Sequence, residues 1–279
     1  FNVVKTGDKL DLGSKQLVFV EARMLHWPDS MFCYLPGDNV LFSNDAFGHH
    51  YASSAMFNDL VDEAALYQEC IKYYANILTP FSKLVTKKIE QFLELKLPLD
   101  MICTSHGVIW RDKPAQIVEK YLQWANAYQE NQITMIYDTM WNGTRIMAEQ
   151  IAKGIMSAHP KLNIKLFNVA HSDKNDVITE IFKSKLVLLG SPTINKGILT
   201  SIAGLLEEIK GLRFMGKKAA AFGTYGWSGE SPAILTEKLK EAGFEIMVPP
   251  LKAKWNPDEK AQQECFDWGK NLCQGNCGK

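Results

Sequence analysis

A short polar segment between two apolar stretches has the residue types of an anion-binding loop. Residues 133–137 predict a strand, and the spacing of apolar residues over 145–157 predicts a helix. Hydroxyl, amide and flexible backbone groups lie between them, at the start of that helix: Thr139, Met140, Trp141, Asn142, Gly143 and Thr144. The N–H groups and the dipole of a helix N-terminus favour an anion, usually a phosphate. An ordinary turn, in which threonine and asparagine cap the helix, is the alternative.

The composition of this loop narrows the kind of phosphate ligand that it would hold. The loop has neither the G-x-G-x-x-G pattern of dinucleotide sites nor the G-x-x-x-x-G-K-[ST] pattern of nucleotide triphosphate sites, and it contains no lysine. Neutral hydroxyl and backbone donors are therefore expected to bind the phosphate, as a flavodoxin-like fold binds FMN.

Strands alternate with helices through the rest of the C-terminal half. Strands are predicted at 164–169, 185–190, 218–223 and 244–248, and helices at about 175–183, 198–210, 232–242 and 257–272. This alternation indicates an α/β fold with a doubly wound parallel sheet. Ligands of such sheets bind at the carboxyl ends of the strands, near the point where the strand order reverses.

Two more of these strands end in loops suited to a flat ring. The first loop contains Pro192, Thr193, Ile194, Asn195, Lys196 and Gly197. The second contains Thr224, Tyr225, Gly226, Trp227 and Gly229. Glycine lets backbone approach a ring closely, and an aromatic side chain can stack on it. With the tryptophan of the first loop, three strand ends offer phosphate donors, backbone donors and aromatic rings. This combination favours FMN over a fold without a cofactor.

Bulk composition excludes several classes of protein. The 279 residues have room for two domains, and 31 basic and 31 acidic side chains leave no net charge, so neither nucleic acid nor an acidic membrane is an expected partner. No apolar run is long enough to span a membrane. The six cysteines are scattered except for Cys273 and Cys277, which predicts free thiols, a cytoplasmic location and no zinc or rubredoxin-type site. Because the sequence begins at Phe1 without methionine or a signal segment, we expect it to be part of a longer protein.

Residues 1–130 form a different unit from residues 131–279. Strands are predicted at 17–21, 32–35, 40–42 and 101–104, with a hairpin turn at 36–39. Helices are predicted over about 60–95, broken at Thr79-Pro80, and over 114–130. The last helix leads into the flavin-type domain, so the domain boundary is predicted near 130.

Three residues of the first unit have the chemistry of metal ligands. His26, Asp45 and His106 each follow an apolar strand, so all three could project into one cleft. Two imidazoles and a carboxylate suit iron or zinc, and a carboxylate can bridge two metal ions. Hydrogen-bonded structural histidines are an equally good interpretation of these residues. The adjacent His49 and His50 point apart on an extended segment and are assigned to the surface or to support of the site.

The order of several motifs resembles the flavodiiron proteins. The segments that carry the resemblance are FNVVKTGD at 1–8, HWPDSM at 26–31, LFSNDAFG at 41–48, TSHGVIWR at 104–111 and the flavin phosphate loop YDTMWNGT at 137–144. The sequence looks close to the flavorubredoxin branch and to the rubredoxin:oxygen oxidoreductases. The resemblance covers the whole chain. It implies the C-terminal part of a metallo-β-lactamase-like αββα domain in 1–130 and a flavodoxin-like domain in 131–279.

The resemblance also implies roles for the candidate residues. His26 and His106 would each ligate one iron of a non-haem diiron centre, and Asp45 would bridge the two. The loop at 139–144 would hold the FMN phosphate, while residues 192–197 and 224–229 would flank the isoalloxazine, with Trp227 stacked on it. Electrons would pass from a rubredoxin-type donor through FMN to the irons, which would reduce nitric oxide to nitrous oxide or oxygen to water. The implied assembly is a head-to-tail homodimer or homotetramer.

One family motif is absent from the sequence. The first three metal ligands of the family come from an H-x-E-x-D segment that precedes His26, and residues 1–25 contain none. We expect that segment in the part of the protein before Phe1. A non-enzymatic FMN electron-transfer flavoprotein with an incomplete metal domain is the alternative function.

Overall fold

The chain folds into two compact units, Phe1–Tyr128 and Gln129–Lys279. The structure is a computed structural model that describes residues 2–272, so the pair Cys273 and Cys277 lies outside the described residues. Within residues 2–272, no helix has both the length and the apolar character needed to cross a membrane.

The first unit is built on one five-stranded sheet with helices on one side. Its strands, in spatial order, are β1 (Lys9–Asp11), β2 (Gln16–Glu21), β3 (Met31–Leu35), β4 (Val40–Asn44) and β5 (Met101–Thr104). Its helices are α1 (Glu63–Tyr73), α2 (Ser82–Glu94) and α3 (Ala115–Ala125). Neighbouring strands are antiparallel except for the parallel pair β4 and β5. The loops that follow β4 and β5 therefore emerge at the same edge of the sheet.

Side chains along the strands alternate between a buried face and a more exposed face of this sheet. Tyr34, Leu41 and Ile102 are register neighbours on the buried face. Phe32 also faces this side, where its ring packs edge-on against Phe92 of α2. On the opposite face Phe42 is 42% exposed. The helices thus cover one face of the sheet, as expected from the period of two in a strand.

Two predicted helices of this unit differ from the structure in their bounds. The helical stretch predicted over 60–95 is broken as expected: a π-helical turn at Tyr74–Leu78 and a 3₁₀ turn at Thr79–Phe81 separate α1 from α2. Pro80 lacks an N–H group, so the regular hydrogen-bond pattern cannot continue through it. The helix predicted over 114–130 ends at Ala125, because Ala127 takes a left-handed conformation with φ of 47°. A left-handed residue terminates an α-helix.

The second unit is a doubly wound parallel sheet, as predicted. Its strands in chain order are β6 (Gln132–Tyr137), β7 (Asn163–Asn168), β8 (Leu186–Gly190), β9 (Lys218–Tyr225), β10 (Glu245–Ile246) and β11 (Leu251–Lys254). Its helices are α4 (Gly143–Ala158), α5 (Lys174–Lys183), α6 (Thr200–Leu212), α7 (Ser231–Glu241) and α8 (Glu259–Leu272). The spatial order β7-β6-β8-β9-β10 is that of flavodoxin-like folds, with the order reversing between β6 and β8.

The edge of this sheet is more complex than the single strand predicted at 244–248. The short strand β10 pairs with the beginning of β9, and β11 pairs with its end. Pro249 and Pro250 lie between the two segments, where they cannot donate ladder hydrogen bonds. The edge strand is consequently split, and its second half reaches the carboxyl end of β9.

Lys217, just before β9, is almost fully buried and makes the stability of this unit depend on pH. Its Nζ donates to the carbonyl oxygen of Phe182 at 2.5 Å, and burial lowers the lysine pKa to about 7 although nearby Glu130 acts in the opposite direction. An unfolded lysine titrates near pH 10.4, so between about pH 7 and pH 10.4 the unfolded chain binds more protons than the folded one. The free energy of unfolding therefore rises with pH across this window.

We expect Lys217→Met to remove that contribution. From pH 7 to pH 9.5, wild-type stability should rise relative to the variant by about 3 kcal/mol, measured by urea unfolding. Lys210→Met, at an exposed position of α6, is the control and should retain the wild-type pH dependence. Parallel pH profiles of wild type and Lys217→Met would contradict the assignment.

Candidate functional site

The carboxyl ends of the strands in the second unit enclose a cavity of about 680 Å³. This volume lies in the range of small-molecule and cofactor sites. The cavity is lined by residues from the loops after β6, β8, β9 and β11: Thr139, Met140, Trp141, Gly143, Pro192, Thr193, Thr224, Tyr225, Gly226, Trp227, Trp255 and Asn256. The three loops singled out in the sequence thus contribute to one cavity.

The loop after β6 presents unoccupied donors at the start of α4. Asn142 precedes the helix in a left-handed conformation (φ 64°), and its side chain makes no capping hydrogen bond. The hydroxyl of Thr139 is buried without a hydrogen-bond partner among residues 2–272. Since a buried hydroxyl without a partner is costly, this group fits an oxygen of a bound phosphate. The side chains therefore do not form the ordinary capped turn that was the alternative.

Neighbouring contacts hold the loop in place. Asp138, at the end of β6, accepts hydrogen bonds from the backbone N–H of Thr139 at 2.7 Å and from the hydroxyl of Ser201. The hydroxyls of Thr144 and Thr224 lie 2.9 Å apart and join the start of α4 to β9. Thr144 is therefore a bracing residue behind the cavity wall.

Large aromatic side chains surround the cavity and remain open to solvent. Trp141 is 80% exposed, Trp227 is 84% exposed and Trp255 is 62% exposed. Exposed indole rings around an apolar cavity are suited to contact with a planar ligand. Trp255 and Asn256 were not predicted, because their place in the cavity depends on the split edge strand.

Part of the loop after β8 lies outside the cavity lining. Ile194 and Gly197 exchange backbone hydrogen bonds of 3.3 and 2.7 Å, while Asn195 and Lys196 between them both have positive φ. This geometry is that of a tight two-residue hairpin turn of type I′. Only Pro192 and Thr193 of this loop line the cavity. Asn142, Thr144 and Gly229 also stand outside the lining.

In the first unit, the three predicted metal ligands converge on one carboxylate. His26 Nε2 lies 3.3 Å from Asp45 Oδ2, and His106 Nε2 lies 3.6 Å from Asp45 Oδ1. Each imidazole thus faces a different oxygen of the same carboxylate. A carboxylate that bridges two metal ions has this arrangement, with one oxygen and one imidazole directed to each ion.

The peptide segment around His49 supports the His106 side chain. His106 Nδ1 lies 3.3 Å from the carbonyl oxygen of His49, and this contact orients the imidazole with Nε2 toward Asp45. His49 is fully buried, which lowers its pKa to about 4, and its Nε2 accepts the N–H of Val108 at 3.0 Å. His49 is therefore a neutral structural residue beneath the site. His50 is exposed, with its ring 5.1 Å from that of His106.

Two further groups shape the surroundings of His106. Gly107 has φ of 86°, and a Cβ there would lie 2.6 Å from His49 Nε2, so glycine is required both by conformation and by space. The hydroxyl of Tyr73 lies 3.4 Å from His106 Nε2. Burial, and secondarily the charge of Asp45, raises the pKa of Tyr73, so the phenol remains a neutral O–H donor.

The residues present supply only part of a two-metal site. Among the described residues, no group of three or more histidine, cysteine or acidic side chains is placed to hold one ion. Each ion would receive one imidazole and one oxygen of Asp45, whereas iron and zinc sites need more ligands than that. The donor types and their arrangement fit two adjacent ions, provided that further ligands come from outside residues 2–272.

Comparisons with known proteins agree with both halves of the fold. Residues 1–107 match a family model described as ODP family beta lactamase, and residues 135–269 match the flavodoxin model. The structure superposes on the rubredoxin oxygen:oxidoreductase of Desulfovibrio gigas with a TM-score of 0.94 and 36% identity, covering 98% of this chain and 68% of that one. The flavodiiron protein of Giardia intestinalis gives a TM-score of 0.90 at 30% identity, covering 97% and 66% of the two chains. The chain belongs to the flavodiiron protein family.

Curated relatives are members of the same family, and the chain covers only part of their length. Anaerobic nitric oxide reductase flavorubredoxins of Escherichia coli are 57% identical over 275 residues, which is 98% of this chain. The chain spans 57% of the length of these flavodiiron relatives. The predicted combination of a metallo-β-lactamase-like unit and a flavodoxin-like unit is confirmed.

Proposed function

We propose that the protein is a flavodiiron oxidoreductase that reduces nitric oxide to nitrous oxide, oxygen to water, or both. The observation that carries the proposal is the carboxylate of Asp45, which presents one oxygen to His26 and the other to His106. Electrons would come from a rubredoxin-type donor. The functional domains would be 1–130 for the diiron centre and 131–279 for FMN, in a cytoplasmic head-to-tail homodimer or homotetramer.

The residues of the flavin cavity have the chemistry to bind and orient FMN. The hydroxyl of Thr139, which has no partner in the described part of the chain, and the first N–H groups of α4 would bind the phosphate. Trp227 and Tyr225 would contact the ring. FMN bound there would accept and donate electrons singly or in pairs. The apolar, aromatic walls would limit access of water to the ring.

The residues of the metal cleft have complementary tasks. His26 and His106 would ligate one iron ion each, and Asp45 would hold both ions, which would supply the binding and reduction of a small oxidant. The His49 carbonyl accepts a hydrogen bond from Nδ1 of His106, which leaves the Nε2 lone pair for a metal ion. The Tyr73 hydroxyl, 3.4 Å from His106 Nε2, would donate a hydrogen bond into the metal cleft.

One observation favours a second function. Residues 2–272 supply only three candidate ligands for two ions, too few for a complete two-metal site, whereas a non-enzymatic FMN electron-transfer flavoprotein needs no metal site. The remaining ligands of the first proposal would come from an H-x-E-x-D segment that precedes Phe1.

The two functions differ in their metal content. Iron and FMN per chain should be measured on the purified protein together with its intact mass and its turnover of nitric oxide and oxygen. About two irons and one FMN in a chain heavier than 31.5 kDa, with turnover of either gas, is the result expected of the reductase. FMN without iron, and without turnover, would overturn it in favour of the electron carrier.

A further inference from the structure

The corner formed by Trp255 and Asn256 closes one side of the flavin cavity. We propose that Asn256 recognises the phosphate of the flavin and that Trp255 forms a wall against its non-phosphate part. This inference rests on the proposed binding of FMN. It adds two residues to the flavin site and assigns to one of them the distinction between FMN and flavins that lack a phosphate.

The backbone of this corner is held by the end of the split edge strand. The N–H of Trp255 donates to the carbonyl oxygen of Tyr225 at 2.7 Å, which extends the pairing of β11 with β9 by one residue. Trp255 itself has φ of 54°, a left-handed conformation that turns the chain over the carboxyl end of the sheet. The corner is therefore positioned by the sheet and not by a free loop.

The indole of Trp255 lies directly on Gly226. A Cβ at position 226 would lie 2.8 Å from Cη2 of the Trp255 ring, closer than van der Waals contact allows. Gly226 does not have a positive φ, so the close approach of the indole is what requires glycine there. Trp255 thus lies between the loop after β9 and the cavity, with its ring available to a ligand.

The side chain of Asn256 lies at the opposite side of the corner, beside the start of α4. A Cβ at Gly143 would lie 3.0 Å from Asn256 Oδ1 and 3.1 Å from the carbonyl oxygen of Trp255. Gly143 is the first residue of α4 and follows the loop whose Thr139 hydroxyl has no partner within residues 2–272. The Asn256 side chain therefore borders the cavity where a phosphate would sit, with its amide oxygen nearest to Gly143.

Asn256 has donor capacity that the protein does not use. It lines the cavity, and its side chain makes no hydrogen bond among the residues that the structure describes. A side-chain amide carries two N–H donors and no charge, like the other donors of this loop. A half-turn of the amide exchanges Oδ1 and Nδ2, and with Nδ2 toward the start of α4 the side chain can donate to a phosphate oxygen.

The two side chains should affect different flavins. A hydrogen bond from Asn256 to the phosphate exists with FMN and not with riboflavin, whereas contact with Trp255 exists with both. The experiment is a fluorescence titration of flavin-free protein with FMN and, separately, with riboflavin. The variants are Asn256→Ala, Asn256→Asp and Trp255→Ala, with Asn271→Ala on the exposed side of α8 as the matched control.

Asn256→Ala should weaken FMN binding about tenfold and leave riboflavin binding unchanged, since a hydrogen bond to a charged group is lost. Asn256→Asp should weaken FMN binding further by charge repulsion, again without effect on riboflavin. Trp255→Ala should weaken both flavins by a similar factor of about ten. Asn271→Ala should match wild type. Far-UV circular dichroism checks that each variant is folded, and the aspartate variant provides the test if the alanine variant is not.

The possible results distinguish failure of this inference from failure of the proposed function. If the wild-type protein binds FMN and the Asn256 variants bind it equally well, the role of Asn256 alone is overturned. The same holds if the Asn256 variants lose affinity for FMN and riboflavin in parallel. Unchanged binding of both flavins by Trp255→Ala would overturn the role of Trp255. A wild-type protein that binds neither flavin would overturn the proposed function and this inference with it.

Discussion

Replacement of His106 by alanine is expected to remove iron from the protein and to abolish gas reduction while FMN remains bound. The imidazole is one of two that face the carboxylate of Asp45, at 3.6 Å, and its orientation is set by the His49 carbonyl. Loss of groups that only support a metal ligand already costs about 10- to 100-fold. Loss of the ligand itself should lower turnover by more than about 100-fold.

The measurement combines iron content, flavin content and turnover of nitric oxide and oxygen. Asp45→Asn tests the same centre from its bridging residue and should also lower iron content, because a neutral amide is a weaker metal ligand than a carboxylate. His171→Ala, at an exposed histidine of the second unit, is the control and should be indistinguishable from wild type. Turnover and iron content that survive His106→Ala would refute the ligand assignment.

Gly154→Ala should destabilise the second unit by about 3 kcal/mol, in spite of the higher helix propensity of alanine. Gly154 of α4 and Gly269 of α8 lie where the two helices cross. A Cβ at Gly154 would lie 2.0 Å from the carbonyl oxygen of Phe266, and a Cβ at Gly269 would lie 2.3 Å from that of Ile151. Backbone cannot yield as a side chain can, so the helices must separate and disturb the core beneath them.

The same substitution elsewhere should have the opposite sign. Gly204 lies within α6 with open space around the position of a Cβ, and Gly204→Ala should stabilise the protein by about 1 kcal/mol. Thermal or urea unfolding of both variants gives the comparison, with a fall of roughly 10 °C expected for Gly154→Ala. If both alanine variants are more stable than wild type, the close contact between α4 and α8 at Gly154 is contradicted.

The sequence was a good guide wherever local pattern decides structure. Apolar runs predicted the strands of the second unit and helical patterns predicted its helices, and the alternation of the two predicted the parallel sheet. The loop at 139–144 was visible because hydroxyl and glycine residues follow an apolar strand. His26, Asp45 and His106 were visible for a similar reason, since each follows such a strand, and a parallel pair of strands brings the last two to one edge.

Contacts between distant segments were decided only by the tertiary structure. The sequence alone predicted one strand at 244–248, but this edge of the sheet is split at two prolines, and only pairing of β11 with the end of β9 brings Trp255 and Asn256 to the cavity. Residues 194–197 of a predicted binding loop form a hairpin turn and are not among the residues that line the cavity. The bridging arrangement of Asp45 was also decided by tertiary contacts. The sequence supplies the residue types, but which carboxylate oxygen faces which imidazole depends on packing between residues as distant in the chain as His26 and His106. Local periodicity carries no information about such distances, because they are set by the register of strands that are remote in the chain.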